Sequence, residues 1–114
     1  MNAYAIAHLH RVELNAEIAE YLMRIDDTLP PFEGRFLVHG QVPEPADGTW
    51  EGSVVVIEFP SIAQARAWYA SPAYQAILPL RLRNSQGEAI LVEGVSPRYR
   101  AATLVARLGI DANA

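Results

Sequence analysis

The sequence predicts an α+β domain in which four antiparallel strands carry two helices on one face, in the order β-α-β-β-α-β, the ferredoxin-like arrangement. Three observations lead there. Residues 54–57 read Val-Val-Val-Ile, apolar on both faces as in a covered central strand. Ile18, Leu22, Ile25 and Leu29 recur at spacings of three and four, the apolar stripe of an amphipathic helix. Between that helix and the next lie two strand-like segments, 35–39 and 53–59, with no helical pattern separating them.

Residues 4–12 form the first strand. Alternation puts Ala5, Ala7 and Leu9 on one face and Tyr4, Ile6, His8 and His10 on the other. The small residues predict a face against which something packs closely. Asn15 is an N-cap for the first helix, because its side-chain oxygen accepts from a free N–H of the first turn, and Glu17 sits well near the positive helix end. Pro30 and Pro31 stop the helix, since the residue before a proline disfavours the α region. After the second strand a Pro/Gly-rich loop, 40–52, carries an Asp47-Gly48 turn signal.

Pro60 ends the third strand. Ser61 caps the second helix, with Gln64 as capping-box partner, and Ile62, Ala65, Trp68 and Tyr69 form its apolar side. Ser71-Pro72 restarts the helix, serine as cap and proline at the first position, where its missing N–H costs nothing. The restarted piece carries Tyr74, Ile77 and Leu78 and reaches Pro79. Residues 84–87 are read as a turn and 88–95 as the fourth strand.

Residues 1–95 make up this domain and 96–114 a C-terminal extension. The extension is read either as a short helix of Tyr99, Leu104, Val105 and Leu108 packing on the domain or a dimer partner, or as an end that is disordered after Gly109. With both helices on one side, the other sheet face would be bare. Ile6, Val55, Ile57, Ile90 and Val92 leave neither face polar, and a bare apolar face marks an interaction surface, met most simply by two-fold pairing with a second copy.

Composition narrows the function. The chain has 114 residues, 51% hydrophobic and 19% charged, as in one folded domain. Its net charge is −4 with scattered basic residues, which argues against nucleic acid and against an anionic membrane. There is no cysteine, so disulfides, thiolate catalysis and cysteine-held metals are excluded. No apolar run approaches the ~20 residues that span a bilayer, no signal-peptide pattern opens the chain, and a cytoplasmic location is expected. Phosphate loops, dinucleotide fingerprints and zinc-helix motifs are absent; no cofactor is expected.

The segment Val56-Ile57-Glu58-Phe59-Pro60-Ser61, then Ala67-Trp68-Tyr69, Ser71-Pro72, Tyr74-Gln75 and Leu80-Arg81, and the ending Leu91-Val92-Glu93-Gly94-Val95, resemble the DUF1330 family across about residues 3–95. The resemblance implies a dimeric α+β barrel, a homodimer whose two sheets pack face to face. The wider superfamily includes cofactor-free monooxygenases, haem-degrading enzymes, muconolactone isomerases and stress-responsive barrels, and a shared fold does not choose among them. Family members often carry an arginine after the Leu-Val pair of the second strand. Here the residue is His39, so an anion held at that place would be held weakly, or only by a protonated imidazole.

The candidate ligand-binding residues are Trp68, Tyr69, Ser71, Tyr74 and Arg81. The aromatics around the Ser71-Pro72 break either pack the core or wall a pocket between helix and sheet. Ser71 is better explained as a cap than as a nucleophile, with no histidine–carboxylate pair arranged for it. Arg81, near a helix end and close to Arg83, either answers the dipole or clamps a carboxylate with its planar fork. Arg35 and Arg66 are read as surface charges. His8, His39 and Tyr74 are the candidates for moving a proton. His8 and His10 share a face, and with His39 or Glu58 they would make a facial metal set. The strand order expected for the fold favours Glu58. The plainer reading, hydrogen-bonded histidines and no metal site, is preferred.

Two functions follow. One is a small-molecule-binding homodimeric barrel, in its stronger form a cofactor-independent enzyme on a small organic acid or carbonyl compound. The other is a non-enzymatic dimeric module for protein interaction or stress. A cavity between helices and sheet favours the first, and a filled core around Trp68 and Tyr74 the second.

Overall fold

The fold was analysed in a computed structural model, which describes residues 1–111 and 113. In chain order the elements are β1 (Ala3–Val12), α1 (Ala16–Ile25), β2 (Arg35–Val38), β3 (Ser53–Phe59), α2 (Ile62–Ala70), α3 (Pro72–Leu82), β4 (Ser85–Glu93) and α4 (Leu104–Arg107). The four strands form one antiparallel sheet in the order β2-β3-β1-β4. This is the predicted β-α-β-β-α-β topology.

Register decides what each face carries. Ala3, Ala5 and Ala7 of β1 lie opposite Phe59, Ile57 and Val55 of β3, and Ala5 and Ala7 lie opposite Leu91 and Ala89 of β4. These residues face the helices, where Ala3, Ile57 and Phe59 pack with Tyr21, Ile25, Leu29, Trp68 and Ile77 as the core. The alternate residues form the open face. There Ile6 stands opposite Val56 and Ile90, and Ile90 and Val92 are 54% and 41% exposed.

Capping proceeds as the sequence dictates. The Asn15 side chain accepts from Ile18 N at 3.0 Å, Ser61 from Gln64 N at 3.2 Å, and Ser71 from Tyr74 N at 3.3 Å. Each satisfies a backbone donor that the helix leaves without a partner.

Several boundaries differ from expectation. The first helix ends at Ile25 and continues as two 3-10 turns, Asp26–Thr28 and Pro30–Phe32. Thr28 Oγ1 donates to Ile25 O there, and Leu29 stays buried without being α-helical. Leu22 is 43% exposed rather than part of the core. Pro79 does not end the second helical unit: it lies inside α3, which runs on to Leu82. Reversal into β4 is completed at Arg83-Asn84, so residues 85–87 of the expected turn are already strand. Asn84 holds that corner by donating to Leu80 O and Glu17 Oε1 and accepting from Asn15 Nδ2. Gly87 is needed within the strand, because a Cβ there would meet His8 O at 2.0 Å.

Beyond β4 the chain forms a 3-10 turn, Ala101–Thr103, and α4. Leu104 and Val105 are half-buried, while Leu108 and Ile110 are 65% and 58% exposed. The radius of gyration, 16.9 Å, exceeds the ~13 Å of a compact chain near this length. The expectation of disorder after Gly109 falls partly on residues 112 and 114, outside the described residues. Among the described residues no helix is long and apolar enough to cross a membrane.

Candidate functional site

Between the helices and the sheet lies a cavity of about 590 Å³. Its floor is the helix-facing side of the sheet, where Ala5, Ala7 and Ala89 offer only methyl groups. The close packing expected over the small residues of β1 is met only in part: Ala5 borders the core, but Ala5 and Ala7 both line the cavity.

Three buried polar side chains line the cavity: Tyr21 from α1, and Tyr74 and Arg81 from α3. Tyr74, Ile77, Leu78 and Arg81 recur at intervals of three and four, so the helical turn that passes Pro79 carries Arg81 onto the same inward stripe. Arg81 is thus in the last turn of the helix rather than just after it, and only 8% exposed. Arg83, two residues on, points outward and pairs with Glu17.

The Tyr21 and Tyr74 hydroxyls are 2.8 Å apart, so one donates to the other. Burial, and then Tyr74 beside it, push the Tyr21 phenol well above the ordinary tyrosine range. Tyr21 therefore stays protonated and serves as a donor. Burial works against the Arg81 charge and the neighbouring Tyr74 and Tyr21 oxygens work for it, with a net upward direction; a guanidinium is in any case a cation at ordinary pH. Among the described residues Arg81 enters no ion pair. The cavity therefore presents a buried cation that no carboxylate of the described residues neutralises.

The exposed wall residues Leu14, Leu22 and His39 mark the cavity opening. The His39 ring stacks on Phe36 with centroids 4.6 Å apart, so the residue standing where the family often has arginine lies at the entrance.

Of the residues singled out by sequence, Trp68, Tyr69, Tyr74 and Arg81 line this cavity and Ser71 does not. The Ser71 hydroxyl donates to Trp68 O and caps α3. Trp68 spends its indole N–H on Thr28 Oγ1 at 2.9 Å and contributes only its ring. His8 points to the open face, away from the cavity, and so cannot act on a ligand there. Its ring stacks on Trp50 at 3.9 Å and its Nε2 bonds to Glu51 O. Glu58 is not near His8: the register sets it beside Tyr4, where it binds Arg35 at 2.9 Å. The carboxylate opposite His8 is Glu88 of β4, 2.7 Å from His10 Nε2.

Sequence reading missed Tyr21. The signal was present, since Tyr21 lies three residues after Ile18 and four before Ile25, within the apolar stripe of α1.

A sequence model of the DUF1330 family, a domain of unknown function, matches residues 2–95. The chain belongs to the DUF1330 family. No curated protein matches it in sequence. Among solved structures, this DUF1330 chain is similar to a dimeric ferredoxin-like protein of unknown function from Jannaschia sp. CCS1 (14% identity, 82% of this chain and 100% of the other, TM-score 0.61). It is also similar to a protein of unknown function from Rhodopseudomonas palustris (17%, 84% and 84%, TM-score 0.57). A third is the N63A mutant of SnoaB, a cofactor-independent oxygenase from Streptomyces nogalater (17%, 87% and 98%, TM-score 0.53). At these identities the likeness concerns the fold of this DUF1330 domain.

Proposed function

We propose that the protein is a homodimeric barrel that binds a small organic acid or carbonyl compound in the cavity above Ala5 and Ala7, and that it acts on this compound without a cofactor. One observation carries the reading: Arg81 is buried, cationic and in no ion pair among the described residues, yet lies on a cavity wall. Arg81 would clamp the anionic group of the ligand or the oxyanion that develops on a carbonyl. Tyr21 and Tyr74 add one free O–H between them. His39, at the opening, would take or return a proton. Trp68 and Tyr69 supply apolar wall for the rest of the ligand. The cofactor-independent oxygenase of similar fold supports chemistry of this kind, and the cavity favours it over a purely structural module. The open face of Ile6, Ile90 and Val92 supports pairing of the two sheets.

A thermal-shift screen against small organic acids, lactones and quinones tests the reading on wild type and Arg81→Ala in parallel. A ligand at one hundred times its Kd adds about 2.7 kcal/mol to native stability. The expected result is a stabilising acid whose effect disappears in Arg81→Ala. A panel without hits, or hits indifferent to Arg81, overturns it.

A further inference from the structure

We propose that His8, His10 and Glu88 form a binding site for a first-row transition-metal dication, on the sheet face opposite the cavity. The two imidazoles come from one strand at a spacing that puts both on the same face, and the carboxylate comes from the residue that β4 places directly opposite His8. One ligand atom from each of the three lies within 4.8 Å of the others. Two imidazole nitrogens and one carboxylate oxygen suit zinc and its neighbours. Zinc ligands at about 2.1 Å in tetrahedral array stand roughly 3.4 Å from one another.

A second observation, independent of this clustering, concerns His8. Its Nε2 lies 2.8 Å from Glu51 O. A carbonyl only accepts, so Nε2 carries the hydrogen and Nδ1 of the neutral ring keeps its lone pair. A histidine that donates one ring N–H to a backbone carbonyl while offering the other nitrogen to a metal has the usual second-shell arrangement. Trp50, stacked on the ring at an interplanar angle of 15°, fixes its plane. At the other side of the site, the ion would replace the proton that His10 Nε2 now shares with Glu88 Oε2. The His10 and Glu88 side chains are 39% and 71% exposed in the single chain; because they share the open face with Ile6 and Ile90, the ion and its water enter only if sheet pairing leaves this end of β1 uncovered.

Of the third ligands the sequence offered, Glu58 pairs with Arg35 beside Tyr4 and His39 stacks on Phe36 at the cavity opening, so neither reaches the pair. Glu88 does. Its place could not be read from β1 alone, because it depends on the register between the first and last strands.

Isothermal titration of untagged, chelator-treated full-length chain with zinc chloride tests the proposal. The expected result is saturable uptake that is lost in His8→Ala and in His10→Ala, weakened at least about tenfold in Glu88→Gln, and unchanged in His39→Ala. Far-ultraviolet circular dichroism and thermal melts of each variant confirm that the fold persists. Cobalt in place of zinc reads the same site by its visible absorption bands. Absence of saturable uptake by wild type, or uptake that survives both histidine substitutions in folded protein, overturns the proposal. Neither result touches the Arg81 cavity, which lies on the other face of the sheet.

Discussion

The hydroxyls of Tyr21 and Tyr74 meet at 2.8 Å in the buried part of the cavity wall, although 53 positions separate them in the chain. The contact adds a polar tie between α1 and α3 to the apolar packing the two helices already share in the core.

Tyr21→Phe or Tyr74→Phe removes one partner of this buried pair and leaves the other hydroxyl short of a bond. Each is expected to cost about 1 kcal/mol in urea denaturation, and the double variant less than the sum of the two. Strictly additive losses would show that the two hydroxyls are not coupled.

The Tyr21 phenol also sets an alkaline limit. Its proton is held more tightly in the folded chain than in the unfolded one. The stability this contributes is intact below pH ~10, the ordinary phenol value, and is lost as pH rises above it, by at most about 1.4 kcal/mol per pH unit. Denaturation midpoints measured between pH 8 and 11 should fall only in the upper part of that range in wild type, and less steeply in Tyr21→Phe.

Arg81 is expected to serve binding at the expense of stability. Exchanging a buried charge that lacks a counter-charge for an apolar side chain of similar length is often neutral or stabilising. Arg81→Met should therefore melt at or above the wild-type temperature while losing affinity for organic acids. A variant that melts well below wild type would identify Arg81 as a structural element.

The open face gives a test of assembly. Ile90→Glu puts a carboxylate in the middle of the apolar patch without touching the core, since Ile90 is 54% exposed. Light scattering after size exclusion should give a dimer mass for wild type and a monomer mass for the variant, with unchanged circular dichroism. A monomeric wild type would remove the dimer from the proposed function.

The topology was legible because each element carried its own signal: periodicity for α1, a doubly apolar run for β3, and caps at Asn15, Ser61 and Ser71. The cavity was legible only in part. Trp68, Tyr69, Tyr74 and Arg81 stood out as residue types near a helix break, but Tyr21 looked like one more apolar position. The alanines of β1 read as tight packing, because a small side chain gives the same pattern whether a neighbour fills the space or leaves it. Glu88 was hidden for another reason. Pairing between β1 and β4 joins segments about 80 residues apart, and its register depends on where α3 ends, one turn beyond the proline that seemed to stop it.

Strand β1 walls the cavity with Ala5, Ala7 and Leu9 and presents His8 and His10 on its other face. One insertion or deletion within it would turn every later side chain to the opposite face, sending imidazoles inward and alanines outward together. The cavity and the histidine pair are thus tied to one register, and neither side of the sheet can be re-spaced without disturbing the other.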